Sequence, residues 1–150
     1  MASAKGEKRS FDKLRTSGEG ALLIADEAIQ AIRSATRNAH PREACGLLLG
    51  QGARVTAFVE TRNTHPAPET HFEIDAQALI DAHRAEREGG PQVLGYFHSH
   101  PRGEPCPSET DQASSAKDGK VWAIAAGGEV MFWRDEPDGF HALSYEIVGG

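Results

Sequence analysis

Apolar positions first gather at Ala21–Ile24, and Ala25, Ala28, Ile29, Ile32 and Ala35 then recur at spacings of three and four, the period of one helical face. A short strand followed by an amphipathic helix is expected there. Cys45–Leu49 is a continuous apolar run closed by Gly50 and Gly52, and Ala53–Glu60 is rich in Val, Thr and Phe. Two strands should therefore meet at a glycine-containing turn as a hairpin. Asn63, Pro66 and Pro68 give Thr61–Thr70 the chemistry of a surface loop, which should lead into a brief strand at His71–Ile74. Asp75 reads as the N-cap of a helix over Ala76–Glu88, in which Leu79, Ile80, His83 and Ala85 sit among charges before Gly89-Gly90 stops it.

A strand is expected at Val93–His98. Pro101–Pro107 holds three prolines and a glycine and must be loop, after which Ser108-Glu-Thr-Asp111 has the pattern of a first helical turn, running to about Lys117. Val121–Ala126, Glu129–Arg134 and Phe140–Val148 should close the chain as three strands, separated by Gly-Gly and Pro-Asp-Gly turns. The pattern predicts a mixed α/β domain with six to eight strands and about three helices. No internal repeat or second domain boundary is evident, so one domain is expected over residues 21–148.

Composition narrows the partners more than the fold. The chain of 150 residues is 39% hydrophobic and 25% charged, as for an ordinary globular domain. Its formal net charge of -6 supplies no basic field for a phosphate backbone, so nucleic acid is not an expected partner. Apolar runs such as Val121–Ala126 are far shorter than the roughly 20 residues of a membrane helix, and no membrane association is expected. Two cysteines, Cys45 and Cys106, are too few for a disulfide scaffold and fit a reducing, cytoplasmic setting. Met1–Gly20 carries five cations without the apolar stretch of a secretory signal, and reads as a disordered tail.

The chemistry concentrates at His98-Ser99-His100. At the end of a strand, side chains at i and i+2 share a face roughly 6.6 Å apart, so both imidazoles can converge on one ion while Ser99 points away. Hydrolytic zinc sites take three His or carboxylate ligands, and Asp111 is the nearest candidate for the third, because the loop after Pro101 turns the chain back. Neither half is specific alone. A His-x-His pair is often only half-buried packing, and Ser108-x-x-Asp111 is equally a capping box.

Taken together, Glu43 in Glu-Ala-Cys-Gly-Leu-Leu-Leu-Gly, His98-Ser-His-Pro101, a seven-residue gap after His100 and Ser108-x-x-Asp111 form a specific pattern. It resembles the signature of the JAMM (MPN+) metalloproteases, most of all their small stand-alone bacterial branch, over about Ala21 to Ile147. The Asn63 loop, Phe72 with Asp75 before a helix, and Gly95 ahead of the histidines extend the likeness. The resemblance implies a single cytidine-deaminase-like MPN domain with a mixed, mostly antiparallel sheet. It implies one zinc per chain on His98, His100 and Asp111, Glu43 as general base, and Ser108 as a donor near the scissile carbonyl. The implied activity is hydrolysis of peptide or isopeptide bonds after the Gly-Gly tail of a ubiquitin-like or sulfur-carrier protein.

Two other classes share parts of this pattern. A non-catalytic MPN scaffold would have lost ligands, whereas none is missing here. A RadC-like, DNA-repair-associated protein carries a similar histidine string, but the acidic charge and the Glu-x-Cys-Gly strand point elsewhere. A deaminase would need a Cys-x-x-Cys pair that the chain lacks. Outside the motif, Cys45 reads as packing and Cys106 as a loop residue. His40, His65, His71, His83 and His141 read as surface or satisfied histidines, Trp122 and Trp133 as core, and Gly149-Gly150 as a loose end.

Overall fold

A computed structural model describes residues 21–149; Met1–Gly20 and Gly150, and with them the expected tail, lie outside that range. The described elements are β1 (Leu22–Ala25), α1 (Asp26–Ala39), β2 (Cys45–Gln51), β3 (Arg54–Thr61), α2 (Ala76–Arg87), β4 (Gln92–Ser99), α3 (Glu109–Ser114), β5 (Val121–Ala126), β6 (Glu129–Glu136), β7 (Gly139–Leu143) and β8 (Tyr145–Val148). The eight strands form one sheet in the order β7-β6-β5-β4-β2-β3-β1-β8. Antiparallel pairs outnumber parallel ones, the parallel pairs being β1 with β3, β1 with β8, and β4 with β5.

The helix face anticipated from spacing is the one that packs. Ala28, Ile29, Ile32 and Ala35 of α1 are buried against a core built from Leu48, Val55, Phe97, Ala123, Ala125 and Phe132. Asp26 and Glu27 occupy the first turn of α1, where the helix dipole favours negative charge. Strand β2 pairs with β3 as the expected hairpin, with a register shift at Leu49/Gly50. Asp75 caps α2 by accepting from the Ala78 N–H.

Three boundaries differ from the sequence pattern. His71–Ile74 makes only an isolated bridge, Asn63 with Ile74, because the side chain of Asn63 bonds the segment's backbone in place of a ladder. Helix α3 ends at Ser114, ahead of Lys117, whose backbone turns to φ 53° and whose N–H is taken by the buried Asp135 carboxylate. The run Phe140–Val148 breaks at Ser144 into β7, which pairs with β6, and β8, which pairs with β1. One residue thus carries the chain from one edge of the sheet to the other, so the sheet is curled nearly closed. The Tyr145 hydroxyl donates to the Val130 carbonyl at 2.7 Å across that seam.

Candidate active site

Strand β4 runs antiparallel to β2 and parallel to β5, and its C-terminal end carries the two histidines. Gly95 permits this arrangement: a β-carbon there would collide with the Val121 backbone of β5, so only glycine lets the two strands pair. The pairing continues past His98. The His100 N–H donates to the Ala125 carbonyl at 2.8 Å, which holds the histidine at the strand end. The loop after Pro101 is tied down where Trp133 Nε1 donates to the Pro105 carbonyl at 3.1 Å, and the chain returns as α3 with Asp111 in its first turn.

Three candidate ligands meet there. Nε2 of His98 lies 3.1 Å from Nε2 of His100 and 3.1 Å from the Asp111 carboxylate, and Nε2 of His100 lies 3.2 Å from Asp111 Oδ2. Donors bound at 2.0–2.1 Å around a tetrahedral ion are separated by about 3.3 Å, so these spacings suit one small cation. His100 Nδ1 faces the Glu104 carbonyl at 2.7 Å. A carbonyl can only accept, so the proton of a neutral His100 sits on Nδ1 and the bare Nε2 lone pair faces the carboxylate and the second imidazole. Without a metal, attraction among the three needs a proton on an imidazole Nε2 that donates to the Asp111 carboxylate, and a metal ion would take the place of that proton. The donor set therefore fits a metal ion held by His98, His100 and Asp111.

The electrostatics agree. Burial lowers the pKa of His98, which has no solvent exposure, and keeps it neutral at physiological pH despite its contact with Asp111. Burial would also lower His100, but its bonds to Asp111 and to the Glu104 carbonyl raise it instead. Burial would raise Asp111, yet hydrogen bonds with both histidines and the Ser108 N–H hold its carboxyl well below the usual carboxylate range.

Glu43 stands just before β2. Cys45 pairs with His98, the Ser99 N–H donates to the Ala44 carbonyl at 3.0 Å, and the register continued one step sets Glu43 across from His100. Its carboxyl is raised to about 7, chiefly by burial, with the nearby His100 opposing and Asp111 adding to the rise. Ser108 caps α3: its oxygen accepts from the Asp111 N–H at 3.0 Å while Asp111 Oδ2 accepts from the Ser108 N–H at 2.9 Å. Capping uses a lone pair of the hydroxyl and leaves its proton free, so capping and donation to a ligand do not compete. Ser108 is exposed and Asp111 buried, which suits a group that meets substrate beside one that does not.

Several residues named from the sequence have contacts at the site that its pattern did not show. Ser99 faces away from the ligands as alternation requires, yet its buried Oγ accepts from the Ala44 N–H at 2.8 Å and so braces the Glu43 segment. Trp122 is core and also a wall of the site: its ring meets His98 edge-on at 5.6 Å, and Phe72 stacks on His98 at 4.2 Å. Asn63 fastens the loop bearing Phe72 to Glu43. Aromatic residues at strand and loop positions carry no signal that separates core from site wall, whereas an Asn among prolines could have been read as a hub. Cys45 is buried with its thiol pushed up to about 11, mainly by burial, as suits an inert packing residue. His65 and His71 stack on each other at 4.6 Å.

This is the architecture of JAB1/MPN domains. A profile of the prokaryotic homologs of the JAB domain matches residues 25–136, and the chain belongs to that family. It is 31% identical over 133 residues to a desampylase of Haloferax volcanii, covering 84% of this chain and 96% of that protein. It is 26% identical to a CysO-cysteine peptidase of Mycobacterium tuberculosis over 86% of this chain and 84% of that protein. A crystal structure of a JAB1/MPN domain protein from Archaeoglobus fulgidus shares the fold with a TM-score of 0.55 at 20% identity, over 86% of this chain and 99% of that one.

Proposed function

We propose that the chain is a zinc-dependent peptidase or isopeptidase of the JAMM type. It binds one zinc per chain and hydrolyses the bond after the C-terminal Gly-Gly tail of a ubiquitin-like or sulfur-carrier protein in the cytoplasm. The observation that carries this reading is the convergence of His98, His100 and Asp111 at 3.1–3.2 Å with the buried Glu43 set across from His100. The substrate class is supported by the names of the relatives, a desampylase and a CysO-cysteine peptidase.

His98, His100 and Asp111 would hold the zinc, which when bound would supply Lewis acidity and ease deprotonation of the attacking water. Glu43, set across from His100, would take a proton from the attacking water and return it to the leaving amine. Burial favours the protonated carboxyl and a bound cation would favour the carboxylate, so Glu43 is poised to change protonation state during the reaction. The free proton of the Ser108 hydroxyl points its dipole at charge developing on the carbonyl oxygen. The structural bond from His100 Nδ1 to Glu104 fixes the ring so that Nε2 stays available.

Elemental mass spectrometry on protein prepared in metal-free buffers tests the metal. About one zinc per wild-type chain is expected, and its loss in His100→Ala. Glu43→Gln should retain zinc and fail to cleave a Gly-Gly-linked fusion of a ubiquitin-like protein that the wild type cleaves. Absence of zinc after reconstitution, or full activity in Glu43→Gln, overturns the proposal.

A further inference from the structure

The peptides flanking Glu43 lie outside the regular β ladder, since β2 begins only at Cys45. Three bonds replace the ladder. The Glu43 N–H donates to the Pro68 carbonyl at 2.7 Å, the Glu43 carbonyl accepts from Asn63 Nδ2 at 3.1 Å, and the Ala44 N–H donates to Ser99 Oγ at 2.8 Å. Two of the three partners belong to the loop between β3 and α2. That loop is itself organised around one side chain.

Asn63 Nδ2 donates to the carbonyls of Glu43 at 3.1 Å and His71 at 3.0 Å, with a longer contact to Pro68 at 3.4 Å, and Oδ1 accepts from the N–H groups of His65 and Glu73, each at 3.1 Å. A primary amide has two protons and two lone pairs, and all four are used here. Asp has no protons to give at this position, and Ser lacks the reach to span both sides of the loop. The same loop places Phe72 flat against His98.

We propose that Asn63 is a positioning residue for the reaction: by fixing the peptide carbonyl of Glu43 it sets the direction in which the Glu43 carboxylate enters the site. The inference rests on Glu43 acting as the general base. Holding the N–H and the C=O of one residue fixes its φ and ψ together, and hence its Cα–Cβ direction. A displacement of the base by about 1 Å is enough to slow such chemistry roughly 100-fold.

Asn63→Asp separates the two halves of the amide. It keeps the acceptor that organises His65 and Glu73, and removes the donor that holds Glu43. With the zinc-loaded protein and a Gly-Gly-linked fusion as substrate, kcat should fall roughly 10- to 100-fold while KM and zinc content stay within about twofold of wild type. Thr64→Ala serves as the control, because it loosens the same loop where Thr64 Oγ1 donates to the Glu73 carbonyl, away from Glu43. It should leave kcat unchanged. An unchanged kcat in Asn63→Asp, or an equal fall in Thr64→Ala, overturns the proposal.

Hydrogen exchange on the metal-free protein gives a readout independent of activity. The Ala44 amide, which shares its peptide with the held Glu43 carbonyl, should lose protection at least tenfold in Asn63→Asp, and the Glu43 amide with it, while the amides of α1 and β5 keep theirs. If the wild type cleaves nothing, the assigned activity fails, and the exchange result alone decides whether Asn63 holds Glu43. Retained protection at both Glu43 and Ala44 rejects that hold.

Discussion

A buried carboxylate should weaken the fold that holds it, and Glu43 allows the effect to be measured. Its side chain is in a residue only 6% exposed, and its pKa rises from an ordinary 4.5 to about 7, mainly through burial. The folded state thus holds the proton more tightly than the unfolded state does. The stability associated with the protonated form is complete below pH 4.5 and is lost as pH rises through 7. The loss amounts to about 3 kcal/mol above pH 8, from 1.36 kcal/mol per pH unit of separation. Glu43→Gln keeps the shape and cannot ionise. In metal-free protein held with a chelator, the variant should therefore exceed wild type by about 3 kcal/mol at pH 8 and match it near pH 4.5. In thermal unfolding the gap at pH 8 corresponds to roughly 6–12 °C for a domain of this size. Urea titrations at both pH values, with m-values compared to confirm two-state behaviour, give the free energies directly. Equal stability at pH 8, or the same gap at both pH values, would refute the assignment of the raised pKa to burial of this carboxyl.

Ser108→Ala removes both the α3 cap and the free hydroxyl proton. Stability should fall by about 1 kcal/mol and kcat by about 100-fold; a kcat loss no greater than the loss of folded protein would assign Ser108 to capping alone. Gly95→Ala drives a methyl into the Val121 backbone of β5, so the β4–β5 pair should part, with a stability loss of roughly 3 kcal/mol. Because β4 carries His98 and His100 at its end, zinc affinity should fall with it, and an unchanged melting temperature would contradict the strand contact.

The convergence of His98, His100 and Asp111 was legible because it is local. His98 and His100 share a strand face by period two, and Asp111 follows within one loop and one helical turn, so spacing alone brings them near one another. The α1 face and the β2–β3 hairpin were legible for the same reason, each being a repeat or a turn with residues of fixed conformational preference. What spacing could not show depends on segments far apart in the chain. The break at Ser144 exists only because β6 and β1 both need a partner. The early end of α3 follows from Asp135, which lies on β6. Alternation set Ser99 on the face away from the histidines, but its bond to Ala44 requires knowing that β2 lies beside β4. Alternation gives the face a residue occupies and says nothing of what waits on that face.

The passage through Ser144 also bears on how the molecule assembles. Strand β1 has only a two-residue pairing with β3, while its whole length, Leu22 to Ala25, pairs with Tyr145 to Val148 of β8. During synthesis, the segment that carries all five residues of the proposed site leaves the ribosome well before β8. The first strand must wait, largely unpaired, until the last emerges to seal the curled sheet. Such a long-range closure is slow by topology, and it makes the nascent chain, with an apolar strand exposed, a candidate for chaperone attention until the final strand arrives.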